Sequence, residues 1–398
     1  MKNKYVDTVI VLGAGYGAVA VIKALARERI KIILFYTGSD DHARFSRFAT
    51  ERIRIPNPID DGAGLLDILM DTKQNWDGQL LIPTLDEYVV FISQNRAELK
   101  KRYVFTVQDW DITSKVVNKN LLYLHAQGAG IPTPKFFLPD SVQFLEERQN
   151  EFIYPSILKP SDTHLFDRIY GKKNLMVNDY QELVDGFIDI QKHNLNVMIS
   201  EIIPGEDSSI YSYRSYMDDQ GELLAELCTQ KIRQYPRGFG QGAVQKTVPM
   251  IQEVRDLSLK LLTSIHYQGE ASTEFKLDYR DNQYKLMEIN ARPPVVGGLY
   301  LKAGVNIPYI YYLDQVKKVR PTLSTYRHEI YWINSYWEVI NFIQSLRSGN
   351  LNLREFLKPY WKEKVFAISF FDDPLHFFIE TYFNIKRAFK KVKKRSLM

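Results

Sequence analysis

Two carboxylates, an amide and a guanidinium fall together in one stretch of this 398-residue chain. Ser272-Thr273-Glu274-Phe275-Lys276-Leu277-Asp278 is followed by Tyr279 to Gln283 and then by Leu286-Met287-Glu288-Ile289-Asn290-Ala291-Arg292-Pro293. Both arms read as strands and the polar link between them as a turn, which predicts a hairpin. Alternate residues of a strand share a face, so Glu288 and Asn290 point the same way, Arg292 continues the row, and Glu274 joins it from the partner strand. Two carboxylates and an amide oxygen are hard donors of the kind Mg2+ or Mn2+ takes, above all where nucleotide phosphates complete the shell. The plain alternative is a polar sheet face of salt bridges around Met287 and Ile289.

Other charged residues stand at the ends of apolar runs. Tyr154-Pro155-Ser156-Ile157-Leu158-Lys159-Pro160 is a buried-type strand closed by Lys159, where packing alone gives no reason for a charge. Gln79 to Pro83 is another, with Asp86 and Glu87 just past its carboxyl end, where ligands of open α/β sheets bind. Thr8 to Leu12, the turn Gly13-Ala14-Gly15-Tyr16-Gly17, an Ala- and Leu-rich helix to about Arg29 and a strand from Lys31 to Tyr36 open a doubly wound domain. A helix over Lys115 to Gly130 stops before the linker Ile131-Pro132-Thr133-Pro134. Beyond it, Val197 to Glu201, Leu223 to Arg233 and the hairpin suggest an α+β lobe. Cys228, the single cysteine, excludes an internal disulfide and a cysteine-based zinc cluster, and its apolar neighbours make it a buried structural thiol.

A hairpin with Glu on one arm and Glu-x-Asn-x-Arg on the next resembles the metal-binding core of the ATP-grasp superfamily, whose members include biotin carboxylase, carbamoyl-phosphate synthetase and the D-aspartate ligase-like carboxylate–amine ligases. Further segments follow in the superfamily's order over roughly residues 8 to 305. The resemblance implies an α/β and α+β architecture: a Rossmann-like domain over 1–113 and an ATP-grasp domain over 114–320. Within the latter it implies a small lobe of about 133–203 and a large one of about 204–320, with an aromatic and basic helical extension over 321–398. It also implies roles. Lys119 and Lys159 reach nucleotide phosphate, and Lys172 and Lys173 do so from a covering loop, 162–174, that has only Gly171 where the superfamily is glycine-rich. The backbone of Glu201, Ile202 and Ile203 meets adenine, and Glu206 or Asp207 binds ribose. Glu274, Glu288 and Asn290 hold Mg2+ (or Mn2+) against ATP. Lys231, Arg233 and Arg292 approach the acyl phosphate and carboxylate, and Glu87 contacts the amine.

The activity so implied phosphorylates a carboxylate to an acyl phosphate and passes the acyl group to an amine, with a cell-envelope precursor among the candidate substrates and a homodimer as the usual assembly. Two other readings compete. The Gly13-x-Gly15-x-Gly17 turn fits a nicotinamide- or flavin-dependent oxidoreductase, although the second strand ends in Phe35-Tyr36-Thr37-Gly38 without the acid that binds ribose. A catalytically inactive nucleotide-binding protein is the second, against which the intact Lys159, Glu274, Glu288, Asn290 and Arg292 speak.

The formal charge of +5 resides in the tail: seven Lys or Arg and no acid lie between Ile385 and Met398, and the body without them is close to neutral. That argues against a nucleic-acid partner. Leu375, Phe378, Ile379, Tyr382, Ile385, Phe389 and Val392 recur at helical steps, so 371–398 is a candidate for contact with an anionic membrane surface, the alternative being a helix packed on the body. No apolar run is long enough for a span or a signal segment, so the expectation is a cytoplasmic protein, at the inner face of the membrane if the tail binds there.

Overall fold

The structure, a computed structural model, describes the backbone of residues 7–38, 41–160, 163–238, 240–323, 325–349 and 351–395, and their side chains except at 163–164 and 387–395. Its strands form three sheets. The first is wholly parallel, in the order β3-β2-β1-β4, from β1 (Thr8–Leu12), β2 (Lys31–Tyr36), β3 (Glu51–Arg54) and β4 (Leu80–Pro83). Val9, Val11, Ile32 and Leu34 pack on one face, and Ile10, Leu12, Ile33 and Phe35 on the other. A sheet buried on both faces needs such continuous apolar strands. Between β1 and β4 the strand order reverses, and the crevice at their carboxyl ends is where ligands of such sheets bind.

The second sheet belongs to a small lobe with its own core around Leu158, Phe166, Leu183 and Phe187. Its order is β5-β8-β6-β7, from β5 (Phe136–Phe137), β6 (Ser156–Pro160), β7 (Leu175–Val177) and β8 (Val197–Glu201). The third sheet has seven strands, ordered β13-β12-β9-β10-β11-β14-β15. These are β9 (Ile210–Met217), β10 (Leu223–Tyr235), β11 (Gln241–Val248), β12 (Gly269–Asp278), β13 (Gln283–Asn290), β14 (Tyr331–Ile333) and β15 (Lys364–Phe366). Tyr216, Leu224 and Leu227 of this sheet share a core with Val9, Val11 and the helix Tyr16–Arg27, so the large lobe and the first sheet are one packed unit.

Several expectations change. The helix expected over 115–130 is two, Trp110–Val117 and Lys119–Gly128. Asn118 stands between them in extended conformation, its side-chain oxygen accepting the backbone N–H groups of Asn120 and Leu121, which starts a new helix there. Past Gly238 and Gly240, Gln241–Val248 forms β11, a buried strand paired antiparallel with β10. The carboxyl-terminal region, expected to lie outside the core, adds β14 and β15 to the large sheet. Its short apolar run Ile330-Tyr331-Trp332-Ile333 is fully buried, a strand signal passed over because it is brief.

Candidate active site

The predicted hairpin forms between β12 and β13, with Glu274 directly across from Glu288 and Ser272 across from Asn290. A β-bulge follows Glu274, giving local twist at this point. Two carboxylates opposite one another repel unless cations stand between them. Here they do. Lys231 of β10 reaches Glu274 Oε1 at 2.7 Å. Lys119, in the first turn of its helix, lies 3.9 Å from Glu288 Oε2. Asn290 Nδ2 donates to Glu288 Oε1 at 3.0 Å, and Ser212 Oγ to Glu274 Oε2 at 3.4 Å.

The electrostatics separate the pair. Burial pushes both carboxyls up, and for Glu274 it prevails over Lys231. For Glu288 burial is outweighed by Lys119, Lys231, the Asn290 amide and Arg292, which hold it at about 2. Glu288 is therefore the permanent anion of the site. Lys159, at the end of β6, is pulled down to about 7 by burial and by Lys119, with Glu288 opposing. Its ammonium donates to Tyr123 Oη at 3.3 Å and Ser200 Oγ at 3.4 Å, and stands over the Tyr123 ring. These are neutral partners, so among the described residues no acid touches the ammonium directly.

Arg292 turns toward the first sheet. Its guanidinium forks onto Asp86, Nε to Oδ1 at 2.8 Å and NH2 to Oδ2 at 2.9 Å, at the carboxyl end of β4. Glu87, the neighbour expected to hold an amine, contributes to the field at Arg292, but Asp86 is the hydrogen-bonding partner. The glycine turn now finds its reason. A Cβ on Gly17 would lie 3.0 Å from the Pro293 carbonyl oxygen and 3.3 Å from that of Thr84, so Gly17 lets the Arg292–Pro293 segment settle against β4. Gly13, at φ +90, sits equally tightly against Thr84 and Tyr88. In this chain Gly17 packs against backbone and Gly13 against side chains of the segment after β4.

The expected nucleotide hinge is partly occupied by its own structure. Glu201 accepts from the Lys135 backbone N–H at 2.8 Å and from Arg280 NH2 at 2.8 Å, tying β8 to the hairpin turn. The Glu201 N–H itself bonds to the Lys135 carbonyl at 2.9 Å, and its carbonyl accepts from Ser200 Oγ at 3.1 Å, so both backbone groups of Glu201 already have partners. Asp207 is engaged by Gln234 through two 2.8 Å hydrogen bonds, whereas Glu206 is exposed. Lys276 donates to the Gly205 carbonyl at 2.9 Å and fixes that turn. Lys172 and Lys173 are exposed in the turn between the helix Thr163–Tyr170 and β7, and Asp162 of the covering loop lies outside the described residues.

Arg233 is a correction. Its fork is taken by Glu338 of the helix Ser335–Arg347, with Nε at 3.0 and 3.2 Å and NH2 at 2.5 Å, and NH2 also donates to the Phe356 carbonyl at 3.1 Å. Register shifts on both sides of Arg233 in β10 turn it toward that helix, away from the Lys231–Glu274 pair. Sequence reasoning passed over Asp86 as the clamp, Tyr123 and Ser200 beneath Lys159, and the Arg280 and Lys276 anchors. Only Asp86 had a visible signal, its place beyond β4.

The profile of the carbamoyl-phosphate synthase L chain, ATP binding domain, matches residues 246–300, which include the hairpin. The fold resembles that of N5-carboxyaminoimidazole synthetase from Staphylococcus aureus complexed with ADP, with a TM-score of 0.62 at 16% identity over 82% of this chain and 80% of that one. The chain has the ATP-grasp fold. L-amino acid ligase from Bacillus licheniformis shares the ATP-grasp fold at a TM-score of 0.60 and 16% identity, over 79% of this chain and 75% of that one. In sequence, the chain is 25% identical over 298 residues to D-aspartate ligase from Enterococcus faecium (strain Aus0004), covering 71% of this chain and 70% of the relative.

The donor set fits a divalent ion. Among the described residues no three His, Cys, Asp or Glu side chains gather to hold a metal alone. Glu274, Glu288 and Asn290 offer two carboxylates and an amide, which suits an ion shared with phosphates, and the Lys231 ammonium beside Glu274 stands where such positive charge is wanted.

Proposed function

We propose that this protein is an ADP-forming carboxylate–amine ligase: ATP phosphorylates a small carboxylate, and an amine displaces the phosphate to form an amide. The observation that carries this reading is the convergence of Glu274, Glu288, Asn290, Lys119 and Lys231 on one sheet face, with Lys159 beside them and Arg292 clamped by Asp86 nearby. Two of the relatives named above are carboxylate–amine ligases by name, D-aspartate ligase and L-amino acid ligase, and they support the choice of reaction and of an amino-acid carboxylate. An amine on a cell-envelope precursor is our candidate nucleophile.

A divalent ion bound at Glu274, Glu288 and Asn290 would supply charge neutralisation at the terminal phosphates. The chain's own groups do the rest. Lys119 and Lys159 neutralise and orient the transferred phosphoryl group. A carboxylate oxygen attacks the γ-phosphorus, the bond to the β–γ bridging oxygen breaks, and ADP departs. Arg292, held by Asp86, presents a planar fork that matches a carboxylate or acyl phosphate. The amine nitrogen then attacks the carbonyl carbon, the bond to the phosphate oxygen breaks, and inorganic phosphate and one proton leave. Closure of the small lobe over this site would exclude water, which otherwise consumes the intermediate.

A screen of ATP conversion across amino acids, sugar acids and peptidoglycan precursors tests the proposal. It predicts ADP and phosphate in equal amounts, and hydroxamate formation when hydroxylamine replaces the amine. AMP and pyrophosphate as products, or turnover indifferent to any carboxylate, would overturn it.

A further inference from the structure

The helix Pro374–Arg395 is held to the body by its polar side. Asp373, immediately before it, accepts from Ser46 Oγ at 2.5 Å and from the Arg47 backbone N–H at 3.0 Å. Glu380 is bound by the Tyr16 hydroxyl and by His42, and Asn384 donates to Glu380 at 3.0 Å. Asp373, His376, Glu380 and Asn384 are all buried. Phe383 packs on Phe45 and His42, but Leu375 is 63% exposed, Phe378 61%, Tyr382 60% and Ile385 51%, and Phe371, in the turn just before the helix, is 90% exposed.

An ordinary surface helix turns its apolar stripe to the core, whereas this one leaves an apolar row in solvent. Steps of three and four residues place Leu375, Phe378, Tyr382 and Ile385 in a single row along the helix. Scattered exposed apolar residues need no explanation, but a continuous row does. The sequence repeats the spacing with Phe389 and Val392 and adds Lys386, Arg387, Lys390, Lys391, Lys393, Lys394 and Arg395, with no acid after Glu380. From Arg387 onward these side chains lie outside those described.

An apolar row on a helix whose carboxyl-terminal sequence is strongly cationic has few complementary surfaces. A second copy of this chain would set the same cations against themselves. A polynucleotide would match the charge and leave the row in water. An anionic bilayer satisfies both, headgroups meeting the cations and the acyl boundary taking the aromatic and aliphatic side chains. Among the described residues no helix is long and apolar enough to cross a membrane, so the contact is with the surface. We infer that the outer face of the helix Pro374–Arg395 binds an anionic lipid surface. The inference stands whether or not the ligase reading holds.

Flotation of the full chain with phosphatidylglycerol/phosphatidylcholine vesicles and with pure phosphatidylcholine vesicles tests it. The wild-type chain should partition at least about tenfold more onto the anionic vesicles. L375Q/F378Q/I385Q changes only exposed positions and should lose about tenfold or more of that binding with its melting temperature unchanged. K390E/K391E/K393E/K394E should abolish the preference for anionic lipid. Equal partitioning onto both vesicle types, undiminished binding by the apolar triple variant, or a triple variant that only dissociates a dimer would each overturn the inference.

Discussion

Lys159 gives the sharpest handle on the nucleotide site, because burial and Lys119 hold its ammonium at about 7 instead of the ordinary 10.5. Triphosphate brings negative charge to it and favours the protonated form, so binding ATP above neutral pH must draw a proton from solvent. If only the charged form binds, the apparent dissociation constant scales as one plus the ratio of neutral to charged lysine. That ratio is about 1 at pH 7 and about 30 at pH 8.5, which predicts a roughly sixteenfold weakening across the interval. Below about pH 6 the lysine is already charged and affinity levels off. The assay is titration calorimetry with a non-hydrolysable ATP analogue and magnesium, run in two buffers of different ionisation enthalpy. Near pH 8.5 it should also register uptake of nearly one proton. Lys159→Arg keeps a cation that never titrates in this range, so its affinity should be flat. A wild-type affinity independent of pH from about 6 to 9, or an equal slope in Lys159→Arg, would refute the placement of this lysine against phosphate.

Three further outcomes follow from contacts around the site. Asp86→Ala releases the Arg292 fork and should lower kcat/KM for the carboxylate by about 10- to 100-fold while leaving the affinity for the ATP analogue near wild type, measured by steady-state kinetics and calorimetry. Glu338→Gln strands the Arg233 guanidinium in a pair whose side chains are only 14% and 1% exposed, so denaturant unfolding should show a loss of about 3 kcal/mol or more, with less lost in R233M/E338L. A similar loss of carboxylate affinity with no change in stability would return Arg233 to the substrate. Gly17→Ala sets a methyl 3.0 Å from the Pro293 carbonyl, and should slow turnover by shifting Arg292 while costing about 1 to 3 kcal/mol of stability; wild-type kinetics would show that the segment gives way freely.

Much of the site could be read in the sequence because its signals are local. The hairpin announces itself by alternation, and Lys159 by a charge at the end of a buried-type strand. What escaped reading depends on partners far along the chain. Arg233 meets Glu338 across more than a hundred residues, and bulges in β10 decide which way it faces. Between Asp86 and Glu87 the sequence offers two adjacent acids, and only the entry of the Arg292 loop selects the first. Asn118 ends one helix and starts another through its own side chain, which apolar periodicity does not register. β11 carries Gly242 just after Gly238 and Gly240, which read as loop, whereas the terminal helix was legible in its spacing.

The account rests on the pairing of Glu274 with Glu288. A crystal structure of the full chain with a non-hydrolysable ATP analogue and Mn2+ tests it directly, through the anomalous signal of the ion. The prediction is an ion about 2.0 to 2.3 Å from oxygens of Glu274, Glu288 and Asn290 and from the terminal phosphates, with Lys231 drawn off Glu274. An ion and triphosphate bound away from the hairpin, with the Lys231–Glu274 pair intact, would contradict it.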